Sequence, residues 1–300
     1  MVERVCAVIV AHNRKEHLRQ CLLSVRGQTR PPNHILVVDN ASTDGTLEMV
    51  KAEFAEAEVL RLRENLGGAG GFYEGMRRAY EEGFDWLWLM DDDACPEVDA
   101  LAALLEHKSE AEILVPVLRA SNGSMYGVGY WKGGRYVSAH PDAFNGSVFR
   151  VELFSFVGPL INRRVISEVG LPRAEFFVWF DDVEYALRAR KKGKVVLCVS
   201  RSVITHDFGQ LRRVSFMGRD KLRPLHPPWK IYYGTRNRGW TVLRSAYAEP
   251  RLQSIMAYLV DNFRQCLGDL LYERDRWARV TLRWLGMWHA LTGSLGRRYP

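Results

Sequence analysis

Trp86-Leu87-Trp88-Leu89-Met90-Asp91-Asp92-Asp93-Ala94 runs five apolar residues straight into three carboxylates. An unbroken apolar run of this length, rather than an alternating one, suits a parallel strand covered on both faces. Ligands of open α/β sheets collect beyond the carboxyl ends of such strands, so the triplet reaches the edge where binding happens. Three adjacent carboxylates repel one another, and the arrangement is costly unless a cation neutralises it. Their hard oxygens suit Mg²⁺ or Mn²⁺, which in turn suit a phosphate-bearing substrate. A solvated acidic loop or a helix N-terminus with Pro96 in its first turn accounts for the same residues, and the rest of the chain must decide.

Outward from this stretch, apolar runs recur at Val5–Val10, Ile35–Val38, Val59–Leu62 and Ile113–Val117, separated by segments of helical character. Asn13 with Glu16 three residues later has the form of a capping box, and Leu18, Cys21, Leu22 and Val25 follow at helical spacing. Right-handed crossovers would lay the strands parallel in a doubly wound α/β sheet. Its strands end in Ala11-His12-Asn13-Arg14, in Asp39-Asn40-Ala41-Ser42-Thr43-Asp44-Gly45 and in Asn65-Leu66-Gly67-Gly68. Each alone is ordinary turn chemistry, but together they face the edge that receives the Asp triplet.

These elements, in this order and spacing, resemble glycosyltransferase family 2 over roughly residues 1–240. The resemblance implies a GT-A fold, Rossmann-like with a mainly parallel central sheet. It implies that a nucleotide-sugar donor is held by Ala11, His12, Asn13 and Arg14, by Asp39, by Asn65 and Gly68, and by Asp91 and Asp92. Asp91 and Asp93 match the family's DxD element and would hold Mn²⁺ or Mg²⁺. His206, 24 residues beyond Asp182, resembles the histidine that completes the metal shell in the family's galactofuranosyltransferases.

A second acidic centre reads Trp179-Phe180-Asp181-Asp182-Val183-Glu184. Asp181 and Asp182 suit a helix's first turn, where the macrodipole favours anions. Transfer to a hydroxyl with inversion also needs a general base within hydrogen-bond reach of the acceptor oxygen. The family's acidic motif places that base at Asp182, with Asp181 as the competitor, and sets Trp179 and Glu184 beside the acceptor or phosphate. Downstream lies a basic stretch, Arg212, Arg213, Arg219, Lys221 and Arg223, then Tyr232-Tyr233-Gly234-Thr235-Arg236-Asn237. The latter resembles galactofuranosyl- and rhamnosyltransferases, which implies that Tyr232, Tyr233, Arg236 and Asn237 border an acceptor or a phosphate.

Composition sets the remaining bounds. The net charge of +7 is uneven: residues 201–300 hold 18 Lys+Arg against 7 Asp+Glu, so this third of the chain is the part that seeks anions. Five cysteines without CxxC spacing argue against a disulfide framework or a zinc site. No window spans a bilayer, and no apolar stretch follows a basic start, so a cytoplasmic protein is expected. Beyond Pro250, Ile255, Met256, Leu259, Val260, Phe263 and Leu267 follow helical spacing, then Trp277, Val280, Trp284 and Trp288 among arginines. Such patterning fits helices packed on a catalytic domain or lying peripherally on an anionic membrane. The expected layout is therefore a catalytic domain over residues 1–245 and a helical extension over 246–300.

The function expected is metal-dependent, inverting sugar transfer onto a saccharide or polyprenyl-linked acceptor in cell-envelope polysaccharide synthesis, with no nucleic acid involved. UDP-galactofuranose is the leading donor and dTDP-rhamnose the runner-up. A nucleotidyltransferase would present a Gly-rich loop where Ala11-His12-Asn13-Arg14 stands. A noncatalytic carbohydrate-binding protein would need neither Asp182 nor the triplet.

Overall fold

A computed structural model describes residues 3–207, 209, 211–216, 219–245 and 247–299. The chain begins by alternating strand and helix: β1 (Val5–Ala11), α1 (Lys15–Arg26), β2 (His34–Asp39), α2 (Thr46–Glu53), β3 (Glu58–Arg61), α3 (Gly67–Glu81) and β4 (Trp86–Asp91). It continues through β5 (Cys95–Pro96), α4 (Ala100–Glu106), β6 (Ile113–Arg119), β7 (Met125–Tyr126), β8 (Val128–Lys132), β9 (Arg135–Ser138), β10 (Val148–Val151), β11 (Leu153–Phe154) and β12 (Leu160–Asn162). Then come α5 (Arg163–Val169), α6 (Asp181–Lys191), β13 (Val196–Thr205), the hairpin β14 (Leu211–Phe216) and β15 (Arg219–Pro224), and helices α7 (Pro228–Arg244), α8 (Arg251–Tyr272) and α9 (Arg276–Thr292).

The main sheet runs β10-β13-β6-β12-β4-β1-β2-β3. β1 pairs in parallel with both β2 and β4, and β13 with β6, while β12 is antiparallel to its two neighbours. The chain thus winds outward from β1 to β3 and returns to the other side of β1, leaving a switch point between β1 and β4 where ligands bind in such sheets. The unbroken apolar runs have the expected cause. Val8, Val10, Leu87 and Leu89 pack on one face with α3, and Ala7, Ile9, Trp86, Trp88 and Met90 on the other with α1 and α4.

One expectation changes. Asn13 does not cap α1: its backbone is left-handed (φ 53°), and its Oδ1 accepts from Thr43 N at 2.8 Å, locking the β1 and β2 loops together. β8, β9 and β11 form a second sheet whose buried Trp131 donates to Ser254 Oγ of α8. α7, which ends at Arg244, packs extensively on α9. The basic stretch is the β14–β15 hairpin, with the side chains of Arg219 and Lys221 outside the described ones.

Candidate active site

The carboxyl ends of β1 and β4 open into a cavity of about 790 Å³. That volume lies within the range of small-molecule sites, ~300–1,000 Å³. On one side, Asp91, Asp93 and His206 bring potential ligand atoms within 4.8 Å of one another. His206 follows β13, and its Nε2 lies 3.2 Å from Asp93 Oδ1. Its Nδ1 is 2.6 Å from Tyr126 Oη, which donates to the His206 carbonyl at 2.8 Å. A proton on Nδ1 shared with Tyr126 would leave the Nε2 lone pair facing the carboxylates, the form in which imidazole binds a metal.

Charge in this corner is unbalanced. Burial, then Asp93 and Asp92, push the Asp91 carboxyl up to about 7. Burial pushes Asp92 up to about 6, against the pull of Arg14. Burial would raise Asp93 too, but His206 and Arg14 hold it at about 2. Burial alone would lower His206, yet Asp93 and Asp91 raise it. Arg14 pairs with Asp92 at 3.4 Å and with Asp93, while the Asp91 carboxylate accepts no hydrogen bond among the described residues. Two carboxylates and an imidazole, one carboxylate unpartnered and held toward its neutral form, fit a hard divalent cation such as Mn²⁺ or Mg²⁺.

Another wall is a strained turn. Phe177, Trp179 and Phe180 all have positive φ (65°, 66° and 70°), a region non-glycine residues rarely occupy. It delivers Asp181 and Asp182 to the first turn of α6, inside the cavity. The Asp182 Oδ1 accepts from Val183 N at 2.7 Å, and burial pushes its carboxyl up to about 6. Burial, then Asp182, push Asp181 well above the ordinary range. The turn meets Gly67, where an added Cβ would lie 2.0 Å from the Phe177 carbonyl oxygen. Gly67 is in turn fixed by Asn40, whose Nδ2 donates to the Gly67 carbonyl at 2.8 Å.

Of the residues singled out from sequence, Ala11, His12, Arg14, Asn65, Gly68, Asp91 to Asp93, Trp179, Asp181, Asp182 and His206 line this cavity. Asp39 does not line it; it is wholly buried, with Oδ1 accepting from Ser42 N and Oδ2 without a hydrogen bond but 3.6 Å from Arg61 Nε. Five residues expected beside the acceptor or phosphate do not line this cavity. Glu184 is wholly buried and paired with Arg173 at 3.2 Å and Arg188 at 3.0 Å. Tyr232, Tyr233, Arg236 and Asn237 are wholly buried in α7. Arg236 donates to the carbonyls of Glu175, Phe176 and Gly296, and Asn237 Nδ2 approaches those of Phe176, Val178 and Trp179 at 2.8–3.0 Å. The Arg236 and Asn237 donors thus meet carbonyls of the strained turn and its neighbours, while Tyr232 Oη meets His289 and Tyr233 Oη donates to the Tyr299 carbonyl.

Two contributions had no sequence signal. Trp229 and Lys230 line the cavity, and Lys230 has no ion-pair partner among the described residues. Burial and then Arg14 lower its ammonium pKa. The C-terminal segment also reaches back, with Arg297 donating to the Asn65 carbonyl at 3.0 Å and stacking on Phe177.

The family model for glycosyl transferase family 2 matches residues 6–160. The chain is 28% identical over 277 residues to the galactofuranosyltransferase GlfT1 of Mycolicibacterium smegmatis, covering 85% of this chain and 86% of that protein. It is 23% identical over 272 residues to the N-acetylglucosaminyl-diphospho-decaprenol L-rhamnosyltransferase of Mycobacterium tuberculosis, covering 80% and 87%. The fold is similar to that of S. aureus TarS 1–349 in complex with UDP, with a TM-score of 0.58 at 14% identity over 99% of this chain and 93% of that one. The family model spans just over half of the chain, so this protein belongs to glycosyl transferase family 2, with a GT-A-like fold, and is a nucleotide-sugar-dependent glycosyltransferase.

Proposed function

We propose that the enzyme transfers galactofuranose from UDP-galactofuranose, with inversion, to a hydroxyl of a saccharide or polyprenyl-linked acceptor in cell-envelope polysaccharide synthesis. The observation that carries this reading is one cavity holding both the Asp91–Asp93–His206 cluster and the Asp181–Asp182 pair. The likeness to a galactofuranosyltransferase over most of both chains supports the donor. Asp39 Oδ2, which accepts no hydrogen bond and has only Arg61 at 3.6 Å, suits an N–H of the nucleobase. Asp91, Asp93 and His206 would hold Mn²⁺ or Mg²⁺, which supplies positive charge to the departing diphosphate. Lys230 and Arg14 add fixed cations on the same side.

Asp182 accepts the proton of the acceptor hydroxyl as that oxygen attacks the anomeric carbon. A base must be ionised near neutral pH, and the Asp182 carboxyl, at about 6, meets that condition. Trp179, on the strained turn, offers an aromatic face to the sugar.

The outward faces of the C-terminal helices support attachment to an anionic membrane. Leu252, Met256, Phe263, Leu267 and Leu271 of α8 and Trp277, Trp284, Trp288 and Leu291 of α9 are exposed, although no helix among the described residues is long and apolar enough to cross a bilayer. The exposed Arg264, Arg274 and Arg276 have no ion-pair partner among the described residues, which leaves positive charge beside the apolar stripe.

Incubating the protein with Mn²⁺ and a panel of nucleotide sugars tests the donor. Release of UDP from UDP-galactofuranose at a rate well above that from UDP-galactopyranose and dTDP-rhamnose is the expected result. Preferential turnover of dTDP-rhamnose would replace the donor, and turnover of none would remove the reading.

A further inference from the structure

Behind the Trp179 wall, α7, α8 and α9 surround a second cavity of about 460 Å³. The two cavities share Trp179 and Gly234, and the indole lies so close that a Cβ on Gly234 would approach it to 2.9 Å. The lining is cationic: Arg223, Arg238, Arg279 and Arg283 stand against Asp269 and Glu273.

Both carboxylates are already neutralised. Asp269 takes Arg223 at 2.6 Å and Arg283 at 2.7 Å, and Glu273 takes Arg212, Arg223 at 2.8 Å and Arg279 at 3.6 Å. Beyond the lining, Asp261 pairs with both Arg238 and Arg135, and Asp275 pairs with Arg279. Arg212, Arg223, Arg279 and Arg283 thus stand against Asp269, Glu273 and Asp275, and in a separate cluster Arg135 and Arg238 stand against Asp261, so each cluster carries one positive charge in surplus. Arg283 is 5% exposed, and its Nε has no hydrogen-bond partner. A network serving packing alone would balance its charges, because a buried cation without a counter-charge is strongly disfavoured.

We propose that this cavity is an anion subsite for the phosphate or diphosphate of a lipid-linked acceptor, with the saccharide extending past Trp179 toward Asp182. The proposal rests on the sugar-transfer reading. A diphosphate diester carries two negative charges, matching the surplus, and guanidinium groups bind such oxygens through paired donors. Gln265, exposed at the rim, adds a polar group, and the exposed apolar stripes of α8 and α9 lie on the same helices, suited to a polyprenyl tail.

The test is calorimetric titration of a P1-citronellyl P2-methyl diphosphate diester into the full chain in EDTA, where the uncompensated Asp triplet repels anions from the donor cavity. Binding by the wild type is expected, with Kd rising at least tenfold in Arg283→Met and in Arg238→Met; the latter leaves Asp261 held by Arg135. In transfer assays the same variants should raise KM at least tenfold for a diphosphate-bearing acceptor. KM for the uncharged alkyl glycoside of the same saccharide, and UDP affinity, should not move. Unchanged diphosphate binding in both folded variants, or equal damage with charged and uncharged acceptors, overturns the proposal. Inorganic diphosphate binding tenfold more tightly than the prenyl ester overturns the lipid assignment. Titration needs no sugar transfer, so its failure and a failure of the donor reading are separate results.

Discussion

Asp91 and Asp92 are carboxylates that the fold holds toward their protonated forms, at about 7 and about 6. In the unfolded chain they titrate near ~4. Folding therefore takes up protons, and the associated stability is fully present below pH ~4 and lost as pH rises through ~6–7. His206, also raised, acts in the same direction, while Asp93 acts oppositely but only between about 2 and its ordinary value. Tm of the protein in EDTA should fall between pH 5 and pH 8, and Asp91→Asn should flatten that fall. Mn²⁺ should raise Tm more at pH 8 than at pH 5, since protons compete for the same oxygens. A Tm that rises across this window in EDTA, or a Mn²⁺ effect equal at both pH values, contradicts the assignment of this cluster as a cation site.

The turn from Phe176 to Phe180 is the element on which the geometry of Asp182 depends. Asn237→Ala would take the α7 donor away from the turn carbonyls of Val178 and Trp179, while that of Phe176 keeps Arg236, and each buried group left without a partner costs ~1–3 kcal/mol. Denaturant melts should therefore show a loss of ~2–4 kcal/mol, accompanied by a fall in kcat; a loss under ~0.5 kcal/mol would mean the turn holds itself. This element also marks the limit of what the amino-acid order discloses. The strands, their shared edge and the Asp triplet were legible because apolar runs ending in polar loops are local signals. The hydrogen bonds of Arg236 and Asn237 to backbone carbonyls were not, because a basic–polar pair looks the same whether its donors face phosphate oxygens or backbone carbonyls. Lys230 and Arg297 carried no signal either, since what places them at the cavity is the docking of α7 and of the C-terminal segment.

At the scale of the whole molecule, the catalytic sheet and the helical layer meet at Trp179 and Gly234, and the helices turn an apolar, arginine-flanked face outward. Sedimentation with vesicles should show binding to anionic but not to neutral lipid at low salt. Phe263→Asp with Trp284→Asp, both at exposed positions, should reduce that binding at least fivefold without lowering Tm. Equal binding to both vesicle types would refute electrostatic attachment. The central claim, that Asp182 is the base of an inverting sugar transfer, is tested most directly by comparing Asp182→Asn with Asp181→Asn in single-turnover transfer, alongside UDP affinity and Tm. Loss of a positioned base costs ~10²–10⁴-fold in rate. The wild-type rate should fall off below pH about 6, where Asp182 takes up its proton. A folded Asp182→Asn enzyme should bind UDP like the wild type and lose ~10²-fold or more in rate, with a smaller loss in Asp181→Asn. Transfer at the wild-type rate by a folded, UDP-binding Asp182→Asn enzyme would contradict the account.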